Sequence, residues 1–135
     1  MAALGEDSGI VVPALDGGPG VRSARYAGED ADDRQNLLKL LAETERAEDR
    51  RAAYVSALAF ASPNGEERLF EGRCEGRLAH EPSGSGGFGY DPIFIPDAGP
   101  GGDVTMASLT PDQKNEISHR GRAARLLVRW LSSRP

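Results

Sequence analysis

Ala53-Tyr54-Val55-Ser56-Ala57-Leu58-Ala59-Phe60-Ala61, then Ser62-Pro63-Asn64-Gly65, then Arg68 to Leu78: this run decides the central architecture of the chain. Its first part sets Tyr54, Val55, Leu58 and Phe60 between small residues, the composition of a strand buried on both faces. Ser62-Pro63-Asn64-Gly65 is a strong turn signal. Beyond it Leu69 and Glu71 alternate with polar partners, as in a second strand, and Gly72 and Gly76 mark bulges or places where another backbone comes close. The two segments are expected to pair as an antiparallel hairpin.

Toward the N-terminus, Ile10-Val11-Val12-Pro13-Ala14-Leu15 reads as a short strand closed by the turn Asp16-Gly17-Gly18-Pro19-Gly20, which places Asp7 at the strand's entrance. Val21 to Gly28 is an irregular connector carrying Arg22, Ser23, Arg25 and Tyr26. From Asp30 the pattern changes. Asp30, Asp32 and Asp33 precede Leu37, Leu38, Leu40 and Leu41, which fall on one helical face, so the spacing predicts a surface helix whose N-terminal dipole the acids complement. Glu43 to Arg51 is a charged, solvated connector with no assigned function.

Toward the C-terminus, Pro92-Ile93-Phe94-Ile95-Pro96 is a brief apolar strand, and Asp97 to Asp103 a flexible loop. Thr110, Pro111 and Gln113 form the capping box of a short helix that carries Lys114. A second helix starts at Ser118, with His119 and Arg120 in its first turn and Ala123, Leu126, Leu127, Trp130 and Leu131 as its buried stripe. The architecture expected is α/β: residues 1–135 as one domain, with a twisted mixed β-sheet, flanking helices, and a cleft between the sheet-rich half and the C-terminal helices.

Composition narrows the function. The chain has 135 residues, 39% hydrophobic and 27% charged, with a net charge of −5, which argues against a broad electrostatic grip on nucleic acid. A small polyanion in one pocket stays compatible with that balance. The single cysteine, Cys74, forms no internal disulfide, no apolar run approaches the length of a membrane span, and Met1-Ala2-Ala3-Leu4 is not a signal peptide, so a cytoplasmic protein is expected.

Three groups of residues are candidates for chemistry. Gly84-Ser85-Gly86-Gly87-Phe88-Gly89-Tyr90-Asp91 combines four glycines with two aromatic rings and an acid. Taken alone it fits a glycine-rich hairpin with two core aromatics as well as it fits a loop on which a planar ring stacks. Asp91, inside that loop, is expected to be partly buried and to need a partner. Glu6-Asp7 fits a Mg²⁺ site, which takes one or two carboxylates and completes its shell with water and phosphate oxygens, but an exposed acidic dipeptide is also commonplace. Lys114, His119 and Arg120 lie within seven residues across a helix junction, where an anion or carbonyl oxygen would meet cations and backbone N–H groups. The plainer alternative pairs Arg120 with an acid and leaves His119 a local cap. Arg22, Ser23 and Arg25 offer further phosphate contacts or a solvated surface. Cys74 with His80 lacks metal-ligand spacing, and no Walker-type loop or nucleophile elbow occurs.

Several of these segments together resemble the inosine triphosphate pyrophosphatase family: Glu6-Asp7-Ser8-Gly9-Ile10, Gly18-Pro19-Gly20-Val21, Ser23-Ala24-Arg25-Tyr26-Ala27-Gly28, Gly86 to Phe94, and Lys114-Asn115 with Ile117-Ser118-His119-Arg120. The resemblance runs from Leu4 to about Trp130. It implies a Mg²⁺-dependent, homodimeric enzyme that converts ITP, dITP and XTP to the monophosphate and pyrophosphate. Position by position, Asp7 matches the catalytic, metal-linked acid, with Glu6 its acidic neighbour near the metal. Ser8, Lys114, His119 and Arg120 match substrate contacts, and Phe88, Gly89, Tyr90 and Asp91 match the base-binding loop. Ser108 stands where many relatives have Glu, and Ser83 where many have Arg. The family's opening strand and Ser/Thr-x-Asn-x-x-Lys phosphate loop are not found ahead of Glu6, so the chain is expected to correspond to the C-terminal two-thirds of the family domain. The alternatives are a fragment that binds a purine nucleotide or a partner without hydrolysis, and an unstable remnant.

Overall fold

A computed structural model describes residues 3–87 and 89–133. Five strands, β1 (Ala3–Val12), β2 (Gly18–Pro19), β3 (Arg51–Ala61), β4 (Glu67–Leu78) and β5 (Phe94–Pro96), make one sheet in the order β2-β1-β3-β4-β5. Three α-helices, α1 (Asp33–Glu43), α2 (Pro111–Ile117) and α3 (His119–Ser132), flank it, with 3₁₀ turns at Pro13–Leu15, Gly20–Arg25, Asp91–Ile93 and Met106–Ser108. The α/β class with flanking helices stands. The parallel pairings that a mixed sheet would contain do not occur among the described strands, which all pair antiparallel.

The hairpin of β3 and β4 forms as expected, in unbroken register from Arg51↔Arg77 to Ala61↔Glu67. No bulge interrupts it at Gly72 or Gly76, so the second expectation for those glycines, close approach, is the one that holds. A Cβ at Gly72 would lie 2.1 Å from the His119 carbonyl oxygen and 2.5 Å from Ala123 N, and one at Gly76 would lie 2.3 Å from the Ile95 carbonyl oxygen. Burial on both faces of β3 extends only over Ala52, Ala53 and Tyr54. Further along, Ser56 and Leu58 stay buried under α3, while Val55, Ala57 and Ala59 face the more open side.

Strand β1 begins seven residues before the predicted Ile10, so Asp7 sits in mid-strand rather than at an entrance. Glu, Asp, Ser and Gly have weak strand preference. Pairing with β3 from Ala3↔Ala61 to Val11↔Ala53 overrides it. At the other end Pro13–Leu15 turns into 3₁₀ helix, and the connector that follows forms a 3₁₀ segment at Gly20–Arg25.

Helix α1 starts at Asp33 because Asp32 and Gln35 form a capping box there, so of the acids that the dipole argument used Asp33 lies in the first turn, Asp32 is the N-cap and Asp30 precedes the helix. Leu37 and Leu40 are buried and Leu41 partly so, but Leu38 points outward. Both predicted C-terminal helices form, α2 with its Thr110–Gln113 capping box and α3 with Ser118 as N-cap. The stripe on α3 is narrower than predicted. Ala123, Leu127 and Trp130 pack on Leu58, Phe60 and Phe70, whereas Leu126 and Leu131 flank the seam and stay exposed. The Glu43–Arg51 connector holds one internal clamp, Arg50, whose guanidinium donates to the carbonyls of Thr44 at 2.6 Å, Ala79 at 2.8 Å and Leu78 at 3.1 Å. No described helix is long and apolar enough to cross a membrane.

Replacing Gly72 with Ala forces backbone against backbone where α3 meets β4. Overpacking of this kind costs about 3 kcal/mol. Urea denaturation should show the unfolding free energy of G72A lowered by about that amount, with an earlier midpoint, and an unchanged midpoint would contradict the close approach.

Candidate functional site

The residues singled out from sequence converge on β1 and the first turn of α3. On a strand, successive side chains alternate between faces. Glu6, Ser8 and Ile10 therefore face α3 and the core, while Asp7, Gly9 and Val11 face the opposite side. Two hollows result, sharing Ser8 and Gly9. The inner one, about 130 Å³, lies between Ser8, Ser23, Asp33, Asn36, Tyr54, Gly89, Tyr90, His119 and Arg120. The outer one, about 260 Å³, is bordered by Asp7, Val21, Val55, Ala57 and Arg73. Among the described residues no strand pairs with β1 over Ala3–Gly9 on the side away from β3.

His119 reaches the inner hollow because α3 rests on the small row Ser8–Ser56–Gly72. Its Nε2 shares a hydrogen bond of 2.6 Å with the Ser8 hydroxyl. Its ring stacks on Tyr54 at 4.7 Å between centroids and 10° between planes, and its buried Nδ1 has no hydrogen-bond partner among the described residues. Burial first, then the charges of Arg120 and Lys114, draw its pKa down to about 4, so the imidazole is neutral at ordinary pH. His119 is thus no mere helix cap. Arg120 follows the plainer alternative in part: its Nε donates to Glu6 Oε1 at 2.8 Å, at the exposed rim.

Asp91 is buried, as expected of an acid inside the loop, and its partner is Lys114, whose ammonium contacts Asp91 Oδ2. Lys114 thus stands against an acid of the loop rather than in the hollow. The pair lies directly beneath the glycines: a Cβ at Gly87, whose φ is +76°, would collide with the Asp91 carboxylate. Burial and the nearby Asp91 charge push the Tyr54 phenol well above its usual pKa. Tyr90 is anchored by a bond from its hydroxyl to the Ser23 carbonyl at 2.6 Å. Phe88 lies outside the described residues.

The pair Glu6-Asp7 is split by strand alternation, so the two carboxylates do not converge on one ion, and no cluster of three or more potential ligands occurs among the described residues. Asp7, open to the outer hollow, fits a cation that takes a single protein carboxylate, whereas Glu6 is turned toward Arg120. Ser23 does not reach out as a phosphate contact, because its hydroxyl accepts from Ile10 N at 2.9 Å and donates to the Gly20 carbonyl at 2.6 Å. Ser83 and Ser108 sit together behind the loop: Thr105 Oγ1 donates to the Ser83 carbonyl at 2.6 Å and lies 3.3 Å from Ser108 Oγ, and neither serine borders the hollow.

Asp33, Asn36 and Tyr54 line the inner hollow without having been singled out. Asn36 carried a signal: it falls between acids and leucines at the spacing of the buried face and is itself buried. A polar side chain there needs partners, and it finds the Ala27 N–H at 2.8 Å and the Ala24 carbonyl at 3.0 Å.

A sequence model described as Ham1p_like, Ham1 family, matches residues 1–130. The chain belongs to the Ham1 family. It is 48% identical over 130 residues to a protein of Halalkalibacterium halodurans named dITP/XTP pyrophosphatase, covering 95% of this chain and 66% of that one. It is 52% identical over 131 residues to the protein of that name from Opitutus terrae, covering 94% and 62%. The Staphylococcus aureus Ham1 protein structure superposes with a TM-score of 0.90 at 43% identity, covering 97% of this chain and 67% of that one. The structure titled nucleoside-triphosphatase, dITP/XTP pyrophosphatase, from Mycobacterium abscessus superposes with a TM-score of 0.81 at 48% identity, covering 95% and 67%. The chain spans 62% to 66% of the length of these two curated relatives.

The neutral His119 has a consequence for stability. Its pKa falls from 6.5 in the unfolded chain to about 4 in the fold, so between those values the unfolded state binds more protons. Stability is therefore lost as pH drops from 6.5 toward 4. Denaturation across that range should show a flatter decline in His119→Gln than in the parent protein, and equal slopes would contradict the buried neutral imidazole.

Proposed function

We propose that the protein hydrolyses deaminated purine nucleoside triphosphates, ITP, dITP and XTP, to the monophosphate and pyrophosphate, clearing them from the nucleotide pool. The observation that carries this reading is the arrangement about β1. The inner hollow offers planar and polar walls for a base, and the outer one, which shares Ser8 and Gly9 with it, offers the Asp7 carboxylate on the other face of β1. A ligand with a flat, uncharged end and a polyanionic end fits across it. The names of the relatives, dITP/XTP pyrophosphatase, point the same way.

Within this reading the Gly86–Tyr90 loop walls the base, with Phe88 and Tyr90 as its aromatic members, and Asp91 with Lys114 supports it from below. Ser8 and His119 contribute polar contacts without a net charge. Arg120, held in place by Glu6, donates hydrogen bonds to a 6-oxo group. The 6-amino group of adenine is itself a donor and would face Arg120 unpaired, a mismatch that rejects the wrong base by on the order of 10⁴. Asp7 accepts a hydrogen bond from a water and directs it at the α-phosphorus. Water oxygen bonds to that phosphorus, the bond to the α–β bridging oxygen breaks, pyrophosphate leaves, and the proton passes by way of Asp7 to solvent. Asp7 is also the residue that would hold Mg²⁺, which when bound offsets the charge of the phosphate oxygens. Residence in the cytoplasm and a homodimeric assembly belong to the same reading.

Pyrophosphate release from ITP, dITP and ATP in the presence of Mg²⁺ tests the proposal. ITP binding without pyrophosphate release would leave a nucleotide-binding protein in place of the enzyme. Asp7→Asn should lower kcat on the order of 10²-fold or more while leaving nucleotide affinity near that of the parent. Arg120→Ala should raise KM for ITP about tenfold, the worth of a charge-assisted hydrogen bond, and narrow the ITP:ATP ratio. An unchanged ratio would remove Arg120 from base recognition.

A further inference from the structure

Among the described residues, the loop between Gly84 and Tyr90 is tied down from three directions. Gly86 N donates to the Ala107 carbonyl at 2.9 Å, and the Tyr90 hydroxyl donates to the Ser23 carbonyl at 2.6 Å. The third tie comes from a side chain: Gly89 N donates to Asp33 Oδ2 at 2.9 Å. Gly89 has a φ of +61°, so the loop turns sharply just where this bond is made.

Asp33 is well placed to hold a loop. It is the first residue of α1, held between the two members of the Asp32–Gln35 capping box, in which Gln35 N donates to Asp32 Oδ1 at 2.8 Å and Asp32 N to Gln35 Oε1 at 2.8 Å. One turn on, Asn36 fastens α1 to the Gly20–Arg25 segment and Ala27. The Asp33 carboxylate therefore stands on a fixed platform. It borders both the inner hollow and a second hollow on the far side of the loop, next to Pro82, Ser85 and Gly87. Its charge also contributes, after burial, to raising the Tyr90 pKa, which places it close to that ring.

We infer that Asp33 is a positioning residue for substrate: by accepting the Gly89 N–H it holds Gly89 and Tyr90 against the inner hollow in the conformation that receives the ligand's ring. This rests on the proposed function only in taking that ring to be a purine base. A carboxylate accepting a backbone N–H makes a charge-assisted bond. Because Asp33 is exposed and lies outside both cores, the bond fixes the loop rather than the fold. The competing role for an acid in a helix's first turn is to offset the helix dipole. Asn at this position separates the two, since it keeps an oxygen acceptor and lacks the charge.

The test uses Asp33→Ala and Asp33→Asn, read by amide hydrogen exchange and by ITP kinetics. In Asp33→Ala, exchange across residues 84–90 should speed up while α1 and the sheet keep their protection. KM for ITP should rise about two- to tenfold, the range of a single hydrogen bond, with kcat little changed. Asp33→Asn, which keeps the oxygen acceptor but not the charge, should restore the larger part of both readouts. Unchanged loop exchange in Asp33→Ala overturns the assignment, as does an Asn variant equally impaired together with lost protection in α1, which would identify a dipole role. If the parent protein neither binds nor hydrolyses ITP while loop exchange still responds to Ala and not to Asn, the functional reading fails and the loop-holding role of Asp33 stands.

Discussion

The missing side chain at Gly72 is the constraint on which the site depends. With a Cβ 2.1 Å from the His119 carbonyl oxygen excluded, the first turn of α3 settles onto the sheet over the row Ser8–Ser56–Gly72. Every functional contact of that turn follows from the depth so gained. His119 reaches Ser8 across β3 and stacks on Tyr54, and Arg120 clears the sheet's edge to meet Glu6. The same seating aligns Ala123 and Leu127 with Leu58 and Phe70, so the packing that holds α3 and the geometry that aims its first turn are one arrangement.

The two ion pairs of the site differ in kind. Lys114–Asp91 is buried, with side-chain exposures of 19% and 3%, and lies under the glycines of the loop. Breaking such a pair strands a charge in a poor solvent, so it acts as fixed scaffolding. Arg120–Glu6 lies at the rim, with exposures of 47% and 40%. Pairs of that sort contribute at most about 1 kcal/mol. Glu6 can therefore orient the guanidinium without competing strongly against a ligand's oxygen. Between these two cations His119 stays neutral, because burial and their charges oppose its protonation. On the proposed function, the base end of the hollow would thus discriminate by hydrogen-bond direction more than by net charge.

Much of this was legible in the chain. The hairpin announced itself through Ser62-Pro63-Asn64-Gly65, and both C-terminal helix starts through Thr110, Pro111 and Ser118, because caps and turns are local chemistry written in adjacent residues. Gly72 was flagged as a place of close approach, but its visitor, His119, is 47 positions away and left no local mark. The pairing of Asp91 with Lys114 and the bond from Gly89 N to Asp33 were hidden for the same reason: each depends on where α1 and α2 are placed against the loop. The start of β1 was misplaced because Glu6-Asp7-Ser8-Gly9 has the composition of a turn, and only the ladder with β3 makes it a strand.

That last misfit bears on function. Four residues of weak strand preference occupy the middle of a strand, where Val or Ile would strengthen the sheet. Natural sequences keep such local conflicts where the residues are needed for something other than folding. Here strand geometry converts a contiguous acidic dipeptide into two separate tools: Glu6 turned toward Arg120 on the inner face and Asp7 toward the outer hollow, with Ser8 returning to the inner face to meet His119. A loop carrying the same four residues would leave the directions of its side chains unfixed. The alternation of a β-strand fixes them, and on the proposed function it divides one ligand's contacts between two faces of one sheet.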